Sequence, residues 1–483
     1  MTDHYVEDER SVVMVDESVL GLSPIATTIL EAVPDGSTVT LQAVTEHVVR
    51  TFGPPDDPNS AEDLTRQQVW DLAAHKVLLV VGDELSFSER RAGELAGEER
   101  SEGVTALRSA LRHLRAGTAG TWVLPERVGP TSLVAAARAH HVVPSIAANL
   151  DRLALPRQAS SELEAMAGRQ RAGAKQLAAD LVVVSDALAA ERIPVLAFKG
   201  VTLAAQAYGD FAIRGAGDLD VLVPPQDVDR AHGVLNEAGW TPAPGFPIPG
   251  HSWAWRHHLQ TGNELTLIGP RSNVDLHWHL VPMRGAFPDF DALWRRRTIV
   301  SVDGHPIPTL SPYDALAHSS GHAARDRWRW LRSLLDVHVL ASDPNTWHGA
   351  DRPLRPEQLL SIGLAVTEFG MPSAAPPIVH LAMQRVDPGL RRRVLHEQDG
   401  TTPQHQPLSV PGINFVRRLR ELDPTPSSIA EARRLLSESL LPSRFTTHEL
   451  SPHAIVAVPR VLGNRAAEVV SRLSDRQDSG RDR

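Results

Sequence analysis

Apolar residues recur along this chain with two periods. Near the start they form two short runs, Ser11-Val12-Val13-Met14-Val15-Asp16 and Val19-Leu20-Gly21-Leu22, on either side of a turn. That pattern reads as strand–turn–strand. Ser23-Pro24 then supplies an N-cap and a first-turn proline ahead of Ile25, Ile29, Leu30 and Val33, whose spacing predicts a helix. Asp35-Gly36 is a turn. Val39 to Phe52 reads as a second helix, Gly53 to Ser60 as a Pro/Asp-rich loop, Leu64–Ala74 as a third helix, and Val77 to Val81 as a closing strand. Residues 1–82 therefore form a small α+β module, winged-helix-like in outline.

Residues 83–128 read as a charged linker or helical connector. From Gly129 the helical period returns through LVAAARAHHVVPSIAANLDRLALP, which ends at Pro156, and a long amphipathic helix is expected over Glu162–Glu191. The period then shortens. Val195-Leu196-Ala197-Phe198 predicts a strand ending in Lys199-Gly200, followed by a helix with Leu203, Ala204, Ala207 and Tyr208. Asp218-Leu219-Asp220 opens the apolar run Val221-Leu222-Val223, a second strand. A helix from Pro225 to Ala238 stops at Gly239. Val274 to Leu280 predicts a third strand that places Asp275, His277 and His279 on one face. Residues 129–345 thus outline a mixed sheet flanked by helices. Residues 346–473 are expected to be helical, and 474–483 a disordered tail.

The chemistry follows from the strands. Asp218 and Asp220 project from the same face, close enough to repel. Burying such a pair is unfavourable unless a cation compensates it, and Mg²⁺ or Mn²⁺ bound by carboxylates and substrate phosphates suits the site. Asp275 is the third carboxylate. Gly200 lets backbone N–H groups approach a phosphate. Lys199 and Arg214 are candidates to neutralise phosphate charge, with Arg214 alternatively orienting Asp218. His277 either joins the nucleotide site or packs as a strand histidine. His318 and His322 share a helix face, but Ser319 stands where a zinc protease needs Glu. Asp326 or Asp336, with His322, either reaches a substrate or completes a local hydrogen-bond network. The basic run at 294–297 reads as a solvated turn.

Composition narrows the classes. The 483 residues carry a formal charge of −9, which argues against nucleic acid as the principal partner. No cysteine occurs, which removes thiolate nucleophiles and cysteine-ligated metals. Met1 to Asp8 is acidic and lacks the apolar core of a signal peptide, and no stretch is long enough to span a bilayer. A cytoplasmic address is expected.

The segment VLAFKGVTLAAQAYGDFAIRGAGDLDVLVPPQDVDRAHGVLNEAGW, followed by NVDLHWHL, resembles an uncharacterised nucleotidyltransferase family of the polymerase-β-like superfamily. With its helical flanks the resemblance spans roughly 130–445. It implies an α+β nucleotidyltransferase fold, an NTP substrate and a divalent ion on Asp218, Asp220 and Asp275. Lys199, Gly200, Arg214 and His277 would line the nucleotide site. Classical superfamily members carry Gly-Gly or Gly-Ser before the first carboxylate; this chain has Gly200-Val201-Thr202 and a longer gap. The N-terminal SVVMVDESVLGLSPIATTILEAVPDGSTV resembles the PqqD-like peptide-recognition element of ribosomal-peptide biosynthesis. That resemblance implies a leader peptide bound as an added strand. The alternatives are a small-molecule acceptor, such as an aminoglycoside-like or sugar hydroxyl, and a non-catalytic peptide-binding scaffold.

Overall fold

The computed structural model describes residues 3–399, apart from 8–9, 16–17, 34–38, 55–60, 75–77, 79–96, 118–119 and single loop positions between 244 and 351. The chain divides into two compact units, Met1–Arg90 and Arg91–Arg483.

The first unit opens with an antiparallel meander of β1 (Asp3–Glu7), β2 (Arg10–Val15) and β3 (Ser18–Leu22). Helices α1 (Pro24–Glu31), α2 (Leu41–Phe52) and α3 (Ala61–Ala74) follow. Ser23 caps α1 as expected, its Oγ accepting the Ala26 N–H at 3.1 Å, and Thr40 caps α2 in the same way. Ala26, Ile29, Leu30, Val44 and Leu72 form the core. Ile25 is exposed although it fits the helical period. The first strand was not legible in the pattern. The closing strand expected over 77–81 lies outside the described residues apart from Leu78.

The second unit contains α4 (Gly97–Ala116), β4 (Trp122–Val123), α5 (Pro130–Ala139), α6 (Val143–Ala147), β5 (Leu153–Ala154) and the long α7 (Arg157–Ala190). There follow β6 (Leu196–Phe198), α8 (Gly200–Tyr208), β7 (Asp218–Leu222), α9 (Val228–Glu237), β8 (Thr241–Pro242), α10 (Trp253–Thr261), β9 (Glu264–Ile268) and β10 (Asn273–His277). The remaining elements are α11 (Phe290–Arg296), β11 (Thr298–Val302), β12 (His305–Thr309), α12 (Pro312–Arg325), α13 (Leu331–Ser342), α14 (Pro356–Phe369), α15 (Pro377–Gln384) and α16 (Pro388–Gln398).

Seven strands form one mixed sheet in the order β11-β12-β6-β7-β10-β9-β8. Its two faces are chemically different. Ala197, Leu219, Val221, Leu265, Leu267, Val274 and Leu276 share an apolar cluster with Leu177, Leu181, Val184 and Leu188 of α7 and with Ala231 and Leu235 of α9. Each such buried Leu or Val contributes roughly 1.5–3 kcal/mol, so the packing on this face anchors the sheet. The opposite face alternates with it. There Leu196, Phe198 and Leu222 join the core of α12, α13 and α14, and the same face carries Asp220 and Asp275.

The stretch read as a charged linker or helical connector holds a helix, α4, whose Val104, Leu107, Ala110 and Leu111 are buried in the main core. Its charged residues lie on the remaining faces, and Arg108 bonds Asp399 at 2.7 Å. The helical run ending at Pro156 is broken at His141, which takes a positive φ of 57° before Pro144 opens α6. Helical residues 346–473 are described as α14–α16 up to 399; the rest, including the 474–483 tail, lies outside the described residues. No described helix is long and apolar enough to cross a membrane.

Two buried histidines hold the helices together in their neutral form. His140 closes the amino end of α13: its Nδ1 accepts the Leu331 N–H and its carbonyl accepts the Arg332 N–H, both at 3.3 Å. His338 on α13 donates from Nε2 to the Gly370 carbonyl at 2.8 Å. Burial pushes His140 down to about 3, helped by Arg108, and His338 down to about 4. The unfolded rings titrate near 6.5, so the unfolded chain binds more protons between these limits. Stability therefore falls as pH drops from 7 to 5, by roughly 1.4 kcal/mol per pH unit and per ring once below 6.5. Urea midpoints at the two pH values measure this, and a His140→Gln/His338→Gln variant should show a flatter dependence.

Candidate active site

β7 lies between an antiparallel neighbour, β6, and a parallel one, β10. In this register Asp220 stands opposite Phe198 on one side and Asp275 on the other. β9 adds Thr266 opposite Asp275 and Glu264 opposite His277. Strand pairing therefore gathers Asp220, Asp275, His277, Glu264 and Thr266 on one face.

Asp220 is 4% exposed. Its Oδ1 accepts from Lys199 Nζ at 2.6 Å and from His277 Nε2 at 3.1 Å. Burial pushes this carboxyl up, but Lys199 and His277 outweigh it and hold the group well below the usual carboxylate range. His277 Nδ1 lies 3.3 Å from Asn263 Nδ2 and 3.4 Å from Glu264 Oε2. Phe198 packs its ring edge-to-face on His277 at 4.9 Å.

Asp275 has no cation of its own among the described residues. Its Oδ1 accepts a hydrogen bond from Thr266 Oγ1 at 2.7 Å. Burial, then the Asp220 charge, pushes its carboxyl up to about 6. Asp218, at the start of β7, reaches the surface with part of its side chain, while partial desolvation and the Asp220 charge push its carboxyl up. Asp220, Asp275 and His277 each offer one ligand atom, and these atoms lie within 4.8 Å of one another. Asp218 stands outside this tight cluster, although its charge reaches Asp275. Two hard carboxylates and an imidazole suit a small divalent cation.

Lys199 sits at the strand-to-helix corner with φ 58° and ψ −155°, and Gly200 follows with φ 40°. A Cβ on Gly200 would approach the Asp218 carbonyl to 3.4 Å, so the corner lies tight against the start of β7. The Lys199 carbonyl accepts the Leu203 N–H at 2.7 Å and the Thr202 hydroxyl at 2.8 Å, which seats the corner on the first turn of α8.

Arg214 is placed differently from expectation. Its Nε donates to Asp336 Oδ2 at 2.7 Å, and Tyr208 Oη donates to Asp336 Oδ1 at 2.7 Å. Asp336 on α13 is 2% exposed, so it requires these partners, and Arg214 does not pair with Asp218. Asp326 is bound by His322 Nε2 at 3.3 Å, and His322 Nδ1 by Arg325 at 2.6 Å. His318 stacks parallel to His322 and meets Phe198 edge-on. Burial, then Arg325 and Lys199, pushes His322 down to about 3. His279 lies beyond the end of β10, beside Leu222 and Leu280 in a small cavity. In the basic run Arg295 and Arg297 are exposed, as a solvated segment would be, and Arg296 alone is drawn into a buried ion pair. Arg296 grips the fully buried Asp314 through two hydrogen bonds, and Arg297 stacks on Trp294 at 4.0 Å.

Several site residues escaped the sequence reading. Glu264 and Thr266 alternate with buried Leu265 and Leu267, a strand signal that was available. Arg332, in the first turn of α13, gave no local signal. Its Nε is buried with no hydrogen-bond partner among the described residues. Burial, then Arg214, lowers its guanidinium to about 10, and the Asp218 charge reaches it.

Residues 126–352 match the model of a family described as an uncharacterised nucleotidyltransferase. The nucleotidyltransferase match runs from just before α5 to just beyond α13 and holds every site residue named above. It ends well short of the 445 expected from the resemblance. It leaves out the N-terminal unit, so the PqqD-like likeness rests on sequence pattern alone. No curated protein matches the chain, and no solved structure does.

Replacing Asp336 by Ala would leave the buried Arg214 guanidinium without its partner. A loss of about 3–5 kcal/mol is expected, read from urea unfolding. A loss under 1 kcal/mol would show that the Tyr208–Asp336–Arg214 cluster is not a structural tie.

Proposed function

We propose that this chain transfers a nucleoside monophosphate from an NTP to an acceptor hydroxyl and releases pyrophosphate. The observation that carries this reading is the side-by-side placement of Asp220 and Asp275 on parallel neighbouring strands with charge left uncompensated. Asp218, Asp220 and Asp275 would hold Mg²⁺ or Mn²⁺, with His277 either a further donor or the orienting partner of Asp220. A bound divalent ion lowers the charge of the triphosphate and favours deprotonation of the acceptor. The acceptor oxygen attacks the α-phosphorus, and the bond to the oxygen bridging the β-phosphate breaks. The Gly200 corner opens α8, where helix N–H groups favour a phosphate. Arg214 is already neutralised by Asp336 and serves by positioning. Lys199 and Arg332, whose Nε has no partner among the described residues, are the cations best suited to the phosphates.

The N-terminal unit supports a peptide acceptor. Its sheet order leaves β1 and β3 as edges for an added strand, in keeping with the PqqD-like pattern. In this reading a ribosomally made precursor is bound by its leader and modified in a cytoplasmic natural-product pathway. A small cationic acceptor, aminoglycoside-like or sugar-like, is the second reading, favoured by the surplus of carboxylates around Glu264.

Incubation with α-labelled ATP, GTP, CTP or UTP, Mg²⁺ and a candidate precursor should label the acceptor. Asp220→Asn and Asp275→Asn should each reduce transfer by several orders of magnitude, and Arg332→Gln should raise the KM for nucleotide about tenfold, or ~1.4 kcal/mol. Transfer of a γ-label instead would indicate phosphorylation. No transfer from any NTP to any peptide or aminoglycoside tested would defeat the proposal. Removal of residues 1–82 should abolish peptide labelling but spare turnover of a small acceptor.

A further inference from the structure

We propose that Lys199 is a resident cation that holds Asp220 until a metal–nucleotide complex arrives, and then passes from the carboxylate to a phosphate oxygen. The inference rests on the nucleotidyl-transfer reading and adds an order to it: the metal alone is kept out, and metal and nucleotide enter together.

Four observations carry it. Lys199 Nζ lies 2.6 Å from Asp220 Oδ1, and His277 Nε2 lies 3.1 Å from the same atom. Both donors sit on Oδ1, so a metal ion must either displace one of them from that oxygen or settle on Oδ2 against the repulsion of the neighbouring ammonium. His277 is fixed by β10, by the Phe198 ring and by Asn263, whereas the lysine ammonium rides on a flexible stem. Lys199 is therefore the donor that can leave. Its side chain retains 22% exposure against 2% for Asp220, so an outward path exists.

The backbone adds a second argument. With φ 58° and ψ −155°, Lys199 occupies a region that is essentially reserved for glycine. Gly200 sits immediately after it, and a Gly-Gly corner would relax the strain. A lysine held in a glycine conformation is best explained by what its ammonium does. Finally, the cluster is short of positive charge. Lys199 feels Asp220, Glu264 and Asp218, while Asp275 stays uncompensated. One ammonium serves several carboxylates, and a divalent ion would serve them better. Displacing Lys199 without a new anion to receive it is unfavourable. A triphosphate supplies that anion, so metal and nucleotide binding become positively coupled.

The test is metal binding rather than turnover. Mn²⁺ affinity is measured by electron paramagnetic resonance on the full chain, with and without a non-hydrolysable α,β-methylene NTP. Wild type should bind Mn²⁺ weakly alone and at least tenfold more tightly with the analogue. Lys199→Met, which keeps the stem and removes the charge, should bind Mn²⁺ alone about tenfold more tightly than wild type and lose most of the coupling. Lys199→Gly should do the same, and relief of the strained corner offsets part of the stability lost when Asp220 is left without its ammonium, so this second variant covers a failure of the methionine variant to fold. If folded Lys199→Met and Lys199→Gly bind Mn²⁺ alone no more tightly than wild type, the lysine is not a competitor and the inference falls, while nucleotidyl transfer stands. If no variant binds Mn²⁺ even with the analogue, the transferase reading falls and takes the inference with it.

Discussion

A carboxylate buried in the middle of a β-sheet has to be compensated, and the surroundings of Asp220 are organised around that requirement. An uncompensated charge there would cost several kcal/mol and drive the group to its neutral form. The fold supplies two donors from two adjoining strands, Lys199 at the end of β6 and His277 at the end of β10. Compensation stops there. One strand further across, Asp275 has only the Thr266 hydroxyl among the described residues. The gradient from a satisfied carboxylate to a wanting one, over a single strand spacing, gives the site its chemical character.

The helical layer makes the gradient durable. α13 meets the site through Asp336, which secures Tyr208 at the end of α8 and Arg214 in the loop before β7. The corner at Lys199 and the entry to β7 are thereby both tied to one helix. α13 is itself closed at its amino end by His140. α12 covers the same face with His318 and His322, whose rings remain neutral because burial disfavours a further charge beside Lys199. Apolar packing on the opposite face of the sheet leaves this face free to hold polar groups.

Much of the core was legible in the chain. The alternation in Asp218-Leu219-Asp220-Val221-Leu222 predicts both a strand and two carboxylates on one side, and Gly239 marks a helix end that the structure keeps. The third carboxylate was legible because Asp275 sits in a strand of the same period. What was hidden is what tertiary pairing decides. Arg214 lies close to Asp218 in sequence, yet it serves Asp336, more than a hundred residues away, because a buried carboxylate draws the stronger partner. Arg332 was invisible for the same reason. α4 was concealed by its charged residues, since its apolar positions are small or spaced among arginines. In the N-terminal unit, local capping signals at Ser23 and Thr40 read through directly because they depend on neighbours in sequence.

The clasp between the two ends of the described second unit bears on where that unit can be cut. Arg108 of α4 binds Asp399 and Gln398 at the end of α16, and Arg112 donates to the Glu368 carbonyl on α14. Leu107, Leu111, Leu335, Ile362 and Phe369 belong to one continuous apolar body. The stretch that matches the nucleotidyltransferase family model begins after α4 and finishes before α14. Excised at those limits, it would present to water the flank that both outer helices shelter. The span matched by the family model and the span packed into one apolar body thus have different borders in this molecule, the second reaching from α4 to α16.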